Sequence, residues 1–169
     1  MAILRTANSR GKYYDEDARY DVVNYVLNPH KAIHYYGGCG VDLTDIAESM
    51  DAVAMQYGKN DGIKLRHFIL SFSPWERITL EKVNAVGRAA AVFLGREYQC
   101  VYAVHESSDH LHIHIVMNAV SYIDGHRYRG TRQEFYAFKN YMQQVLRQFG
   151  ISNLIYVSEK VKNRLTGMI

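Results

Sequence analysis

Apolar positions recur along this chain with the two spacings that distinguish strands from helices. Short runs rich in branched and aromatic residues predict strands, and longer amphipathic runs behind a capping residue predict helices. Strands are predicted over residues 2–7, 32–36, 65–73, 98–105, 111–120 and 153–157. Helices are predicted over residues 17–27, 43–57 and 80–95, and a fourth begins at the capping box of Thr131 and Glu134 and ends at Gly150.

Breaker and capping residues set the limits of several of these elements. Asn28 precedes Pro29 and is disfavoured in helical geometry, so the first helix is expected to end there. Gly37 and Gly38 are expected to close the second strand, and Asp42 to cap the second helix. Hairpins and helices alternate in this order. The pattern predicts an α+β domain with an antiparallel central sheet and helices packed on one face of it.

The composition is that of an ordinary globular protein. The 169 residues fit one domain, 48% are apolar, and no linker-like stretch divides them, so we predict a single domain over residues 1–169. No apolar run approaches the roughly 18 residues that cross a bilayer, and the polar N-terminus lacks a signal-peptide pattern. Two cysteines are too few for a disulfide framework. These features favour a cytoplasmic protein without membrane insertion.

Charge says little about a partner, whereas two residue types are abundant. A net charge of +3 permits a nucleic-acid partner without arguing for one. The chain holds 14 tyrosines and 8 histidines. Four of the histidines fall within ten residues, at His105, His110, His112 and His114.

Strand geometry groups three of these histidines. Side chains alternate between the faces of a strand, so His112 and His114 point the same way while Ile113 points to the core. If strands 98–105 and 111–120 form a hairpin, His105 lies across from His112, at a Cβ separation of about 4.5–5.5 Å. The three imidazoles then converge within reach of one ion, at bonds of about 2.0–2.1 Å for zinc.

Two other readings of the cluster remain open. The histidines are either exposed groups on a polar sheet face or part of a structural metal site, which normally takes four protein ligands, often cysteines. The nearest cysteine in the hairpin is Cys100. Three ligands leave one position open, as catalytic metal sites do. His110 falls in the turn, off this pattern, and is interpreted as a bystander or as a group behind the ligands.

Three segments together resemble a known family. The stretch VHESSDHLHIHIVMNAV, with His105 before the pair His112 and His114 and with Asn118 after it, resembles the third motif of the MobA/VirD-like relaxase/mobilization nucleases, which are HUH endonucleases. HFILSFSP resembles the second motif, with Ser71 at the serine position. NYVLNPHK resembles the first, with Tyr25 at the nucleophile position.

The resemblance implies a fold, a reaction and partners. The expected fold is the HUH type, with a ferredoxin-like or RRM-like core. The implied reaction is site-specific cleavage of single-stranded DNA at an origin of transfer, which leaves a 5′-phosphotyrosyl link and a free 3′-hydroxyl, in conjugative transfer or mobilization. It also implies a divalent ion (Mg, Mn or Zn), origin DNA, accessory relaxosome proteins, a coupling protein and a bacterial cytoplasmic location. Relaxases usually continue further, so we expect these residues to be the N-terminal part of a longer protein.

The nucleophile is predicted to be Tyr25. A tyrosine with a pKa near 10 is ionised in only about one molecule in a thousand at neutral pH, so a nearby cation or base has to assist it. Tyr20 lies on the same predicted helix and is the second candidate, ahead of Tyr13 and Tyr14. Aromatic residues beside valines on a helix are usually core residues, which is the alternative role for Tyr25.

Further residues are candidates for DNA contacts or for support of the ligands. Ser71 is expected to bind a phosphate or sugar, Asn118 to orient a ligand or contact DNA, and Asp109 to accept a hydrogen bond from a ligand histidine. Arg127 and Arg129, near Arg132, Tyr122 and Tyr128, are expected to neutralise phosphates beside aromatic rings that stack on bases.

Two alternative functions are weighed beside the relaxase. A rolling-circle replication initiator or transposase of the HUH type would carry its tyrosine on a helix after the histidine pair, where Tyr136 and Tyr141 lie. A DNA-binding accessory protein with a non-catalytic metal site would bind DNA without cutting it. The position of the tyrosine relative to the histidines distinguishes the first alternative from the relaxase.

Overall fold

The chain builds one mixed sheet with helices against it. The computed structural model describes residues 1–7, 11–107 and 110–157. Within these ranges the strands are β1 Ala2–Ala7, β2 Ala32–Cys39, β3 Leu65–Phe72, β4 Tyr98–Glu106, β5 Leu111–Ser121 and β6 Leu154–Val157. The helices are α1 Ala18–Val26, α2 Ile46–Gln56, α3 Leu80–Leu94 and α4 Arg132–Gln148, and a single 3₁₀ turn covers Lys12–Tyr14.

The central hairpin β4–β5 organises the sheet. The strand order is β2-β4-β5-β3-β1-β6. Every neighbouring pair is antiparallel except β1 and β6, which run parallel. The α+β class and the antiparallel central sheet are therefore as the sequence predicts, with one parallel strand added at the edge.

Helices cover both faces of this sheet, so the expectation that they pack on one face is wrong. On one face, α3 and α4 bury the alternate positions of the central strands, among them Leu70, Ile113 and Ile115. On the other face, α1 and α2 bury Val101 and Val116. This second core forms because the central strands also carry apolar residues on the face of the histidines. A face made only of polar residues could not bury a helix.

Two element limits also differ from the predicted ones. β2 runs through Gly37 and Gly38 to Cys39 instead of stopping at the glycines. The Tyr102 ring lies against Gly37, where a Cβ atom would come within 3.0 Å of Cε1, so glycine serves close packing inside the strand and not a turn. The second helix begins at Ile46, because the Asp45 carboxylate accepts the hydrogen bond from Glu48 N.

Among the helices of the described residues, none combines the length and the apolar character that crossing a membrane requires.

Candidate active site

Three histidines meet on the sheet face that carries α1. His105 on β4 stands directly opposite His112 on β5, and His114 follows two residues later, opposite Ala103. The ring centroids are 5.4 Å apart for His105 and His112, 4.4 Å for His105 and His114, and 5.0 Å for His112 and His114. One ring nitrogen from each residue lies within 4.8 Å of the others. We call these three residues the histidine triad.

Hydrogen bonds leave one ligand nitrogen available on two members of the triad. His105 Nε2 donates to the Val26 carbonyl at 2.6 Å, so Nδ1 keeps its lone pair. His114 Nδ1 is 2.7 Å from His67 Nε2, which leaves His114 Nε2. His112 Nδ1 is buried and has no hydrogen-bond partner among the described residues. An unpartnered buried nitrogen beside two oriented imidazoles is the donor set that a divalent metal ion such as zinc takes.

The triad is uncharged at neutral pH. Burial, with smaller effects from the neighbouring histidines and Arg5, lowers the pKa of His112 to about 4 and that of His114 to about 2. Burial also lowers the pKa of His105. Neutral imidazoles bind metal ions without first losing a proton, and they leave the full positive charge on the ion.

Tyr25 lies above the triad, at the C-terminal end of α1. Its ring centroid is 5.7 Å from that of His114, edge to face, and 6.5 Å from that of His105. The side chain is 48% exposed, so its hydroxyl is open to a ligand in solution. The Lys31 ammonium lies 4.6 Å from the centre of the ring. This is a cation–π contact, which draws the ammonium to the face of the ring.

The other candidate tyrosines lie elsewhere. Tyr20 is about 140° around α1 from Tyr25. It faces carboxylates that include Asp51 and Glu48, and desolvation together with these charges raises its pKa. Tyr136 and Tyr141 are on α4, on the opposite side of the sheet from the triad, where Tyr141 stacks on Phe93 with centroids 4.5 Å apart.

Tyr13 and Tyr14 follow in the 3₁₀ turn. Tyr13 is buried and its hydroxyl lies 3.0 Å from His67 Nδ1, whereas Tyr14 is 60% exposed. Tyr13 is therefore connected to the triad through His67, which contacts His114.

A cleft of about 730 Å³ opens beside the triad. It exists because α1 and α2 cover only the β2, β4 and β5 part of this face, which leaves β3, β1 and β6 accessible. Tyr25, His67 and His114 form one end of the cleft, and Arg5 and Lys12 supply positive charge along it. The cleft gives a molecule in solution a path to His114.

His67 is the functional residue that sequence reasoning missed. It lies on β3 opposite Val116, on the face of the triad, and burial lowers its pKa to about 4. Its position beside the triad follows from the register between β3 and β5, in which Ile69 pairs with His114 and Ser71 with His112. Strands separated by a helix and a third strand do not reveal their register in the sequence.

Of the predicted supporting residues, Ser71 and His110 lie near the triad. Ser71 lies beside His112 on the face of the triad and is half-buried. The His110 ring is 5.5 Å from that of His112, and its Nδ1 is 3.4 Å from Ser107 Oγ. Asp109 lies outside the described residues.

Within the described part of the chain, Asn118 forms its hydrogen bonds away from the triad and does not line the cleft. Its side chain is fully buried, so it is not available to DNA, contrary to one of its expected roles. It accepts from Arg19 Nε and Nη2, at 3.3 and 3.2 Å, and donates to Met50 O and Gln99 Oε1. Arg19 also binds Asp51 and Asn60. The asparagine of the third motif thereby holds the helix that carries Tyr25.

The arginines after β5 lie far from the triad. Arg127 pairs with Val120, six residues beyond His114 along β5, or roughly 20 Å. Its guanidinium is bound by Asp61 and by the Lys59 carbonyl, and Arg129 is exposed at the same end. Tyr128 is buried and Tyr122 donates to the Gly95 carbonyl. These bonds give Arg127 a structural role, and the cluster does not face the cleft.

The sequence of this chain is similar to those of several known proteins. Protein rlx of Staphylococcus aureus is 28% identical over 130 residues, which cover 77% of this chain and 40% of that protein. The group II intron-interrupted relaxase LtrB of Lactococcus lactis subsp. cremoris is 35% identical over 71 residues, 41% of this chain and 13% of LtrB. Protein TraI of Escherichia coli is 30% identical over 122 residues, 68% of this chain and 16% of TraI.

The chain therefore spans less than half the length of these relatives. The profile of the MobA/VirD2-like relaxase nuclease domain matches residues 25–151 of this chain, a range that begins at Tyr25 and includes the whole triad. This chain belongs to the MobA/VirD2-like relaxase nuclease domain family.

Proposed function

We propose that this domain cuts one strand of DNA at an origin of transfer and keeps the cut strand on Tyr25, in conjugative transfer or mobilization. The observation that carries the proposal is the position of Tyr25, an exposed phenol whose ring lies 5.7 Å from that of His114. The phenol and the cation ligands thus face the same space, at the end of a cleft open to a strand.

The proposed reaction exchanges one phosphodiester for another. The Tyr25 oxygen attacks the scissile phosphorus, a P–O bond to tyrosine forms, and the bond to the 3′-oxygen breaks. The phenolic proton leaves to solvent and the departing 3′-oxygen takes one up, so the protons balance. The 5′-phosphate stays on the protein, and no nucleotide cofactor is needed because one phosphodiester replaces another.

His105, His112 and His114 are the residues that would hold a divalent ion. Such an ion, of which Mg, Mn and Zn are the candidates, neutralises charge on the phosphate oxygens and orients the group for in-line attack. Imidazole ligands suit Zn better than Mg, which prefers oxygen. The chain's own contribution is to keep the three rings neutral and facing one another.

The cleft supplies the path for single-stranded DNA. Arg5 and Lys12 lie along it. Ser71 pairs with His112 on the face of the triad and is proposed to donate to a phosphate or sugar oxygen. Origin DNA, accessory relaxosome proteins and a coupling protein are the partners that we propose, in the bacterial cytoplasm.

The placement of the tyrosines favours this function over its alternatives. A rolling-circle initiator or transposase would use a tyrosine on the helix after the histidine pair, but α4 packs on the opposite sheet face. A DNA-binding accessory protein would have no use for an exposed phenol beside the triad. We therefore propose Tyr25 as the nucleophile.

Covalent capture selects the origin sequence and tests the proposal at the same time. The protein is incubated with a randomised single-stranded DNA library and Mn²⁺, adducts that survive SDS are sequenced, and the linked residue is mapped by mass spectrometry. The selected sequence is then used with Tyr25→Phe and with Tyr20→Phe as the matched control.

The expected result is an adduct on Tyr25 that Tyr25→Phe abolishes and Tyr20→Phe retains. An adduct on Tyr136 or Tyr141 would instead assign the rolling-circle type of chemistry. DNA retained without any covalent link, under all of Mg²⁺, Mn²⁺ and Zn²⁺, would assign the accessory role and refute the nuclease.

A further inference from the structure

Two more buried aromatic rings, those of His67 and Tyr13, lie behind the triad. His67, 4% exposed, places Nε2 2.7 Å from His114 Nδ1, and its Nδ1 lies 3.0 Å from the Tyr13 hydroxyl. Tyr13 is 6% exposed and is held in place by its own carbonyl, which accepts from Lys64 N at 2.8 Å. The three side chains form a continuous hydrogen-bonded row from the 3₁₀ turn through β3 to β5.

The direction of the protons in this row decides whether His114 can be a ligand. A neutral imidazole carries one proton. When that proton is on His114 Nδ1, it is donated to His67 Nε2, and His114 Nε2 presents its lone pair to the triad. His67 then carries its own proton on Nδ1 and donates it to the Tyr13 oxygen. The reverse direction places a proton on His114 Nε2 and removes it as a ligand.

We propose that His67 is a positioning residue that accepts the Nδ1 proton of His114 and so holds its ligand tautomer, with the Tyr13 oxygen placed to accept the Nδ1 proton of His67. This inference rests on the proposed metal-binding role of the triad. His67 acts through its acceptor nitrogen and does not touch the phosphate.

Comparison with His105 shows why His114 needs such a partner. His105 donates to the Val26 carbonyl, which is an acceptor only, so its tautomer is fixed by the backbone. His114 instead faces another histidine, which either donates or accepts. The Tyr13 oxygen can accept from His67 Nδ1, which is compatible with the direction that leaves His114 Nε2 as the ligand atom. Partners behind metal-bound histidines typically contribute about 10–100-fold in metal affinity.

Metal affinity tests the proposal independently of DNA cleavage. The purified protein, freed of metal by a chelator, is titrated with Co²⁺, whose visible absorption reports ligation, and then with Zn²⁺ in competition. His67→Phe keeps a ring of similar size but has no acceptor, and His67→Gln restores an acceptor near the Nε2 position. His126→Gln, at the far end of the sheet, controls for loss of any histidine.

We expect His67→Phe to weaken binding about 10–100-fold and His67→Gln to recover most of that loss, with Tyr13→Phe intermediate and His126→Gln unchanged. Circular dichroism of the metal-free variants checks that each is folded. If His67→Phe fails to fold, the comparison of His67→Gln with Tyr13→Phe carries the test, and equal affinity of both with the parent protein overturns the proposal.

Nitrogen chemical shifts of the histidine rings give a second readout on the unaltered protein. We expect the Nδ1–H form for both His67 and His114, and a shift toward a mixture in Tyr13→Phe. An Nε2–H form at His114 would overturn the positioning role while leaving the triad intact.

The outcomes separate this inference from the proposed function on which it rests. A parent protein that binds neither Co²⁺ nor Zn²⁺ would overturn this proposal and the metal part of the proposed function together. Loss of binding in His112→Ala, combined with parent-like affinity in a folded His67→Phe, would overturn only the positioning role.

Discussion

The Tyr25 ring meets the His114 ring at right angles, with the two centroids 5.7 Å apart. One residue comes from a helix near the start of the chain and the other from the central strand. This contact brings the first and third motifs together. Tyr25 is exposed, so a change to its hydroxyl can alter the chemistry without altering the fold.

Tyr25→Phe should therefore remove activity without weakening the fold. The hydroxyl is at the exposed end of a 48% exposed side chain, so its loss should change the free energy of unfolding by less than about 0.5 kcal/mol. Adduct formation should fall below detection. Urea unfolding and SDS-resistant adduct assays measure the two effects, and a folded variant that still forms the adduct would assign the nucleophile elsewhere.

Metal should stabilise the native state through the triad. A ligand that binds only the folded protein adds about 2.7 kcal/mol at one hundred times its dissociation constant. We expect Zn²⁺ or Mn²⁺ to raise the unfolding midpoint of the parent protein and to leave that of His112→Ala unchanged. Thermal unfolding with added metal and with chelator provides the measurement. Equal stabilisation of the variant would place the ion outside the triad.

Acid should destabilise the metal-free protein. The pKa of buried His67 is lowered to about 4, whereas an unfolded histidine titrates near 6.5. Between these values the unfolded state binds the extra proton, so stability is fully present above about pH 6.5 and declines as pH falls toward 4, by about 1.4 kcal/mol per pH unit for this residue.

Urea unfolding of chelator-treated protein at pH 7, 6 and 5 checks this dependence. His67→Gln should show a shallower decline, because one of the buried titrating groups is gone. A parent protein of constant stability over that range would contradict the assignment of neutral buried histidines.

DNA affinity should depend on the cleft arginine more than on those after β5. Arg5 lines the cleft, whereas Arg127 is bound to Asp61 and backbone carbonyls. Arg5→Ala should weaken single-stranded DNA binding and reduce the salt slope by about 0.7. Arg127→Ala should leave the slope unchanged and lower stability instead. Binding isotherms at low and high salt distinguish them, and the opposite ranking would relocate the DNA path.

The buried Arg19 should be required for the fold. It binds Asp51, Asn60 and Asn118 without access to solvent. Arg19→Ala leaves these groups unpaired, and we expect a loss of about 3–5 kcal/mol, as for other broken buried ion pairs. Urea unfolding measures it. Arg129→Ala, an exposed arginine, serves as the control and should change stability by less than about 0.5 kcal/mol.

Patterns among residues close together in the chain predicted most of the helices and strands. The β4–β5 hairpin predicted from the sequence led to the triad. Thr131 and Glu134 form the expected capping box, and His105 pairs with His112 because a short turn joins their strands. These features depend on residues near one another in the chain. The place of Tyr25 above the triad came from the motif resemblance, since a helix–sheet contact has no periodic signal.

Contacts between distant segments were the part that could not be predicted. His67 joins His114 across 47 residues, through a register between β3 and β5 that neither strand encodes alone. The burial of Asn118 depends on Arg19, whose charge would ordinarily place it at the surface. A buried arginine is recognised only when its partners from α2 and β5 are seen around it.

The bond from Arg19 to Asn118 ties α1, the helix of Tyr25, to β5, the strand that carries two of the three imidazoles. The phenol and the triad therefore lie on elements that are bonded directly to each other. In the proposed reaction, the DNA strand would then have to bend at the scissile phosphate to meet both groups. We therefore expect sequences with a flexible backbone at the cut to be cleaved preferentially, so that DNA flexibility contributes to specificity.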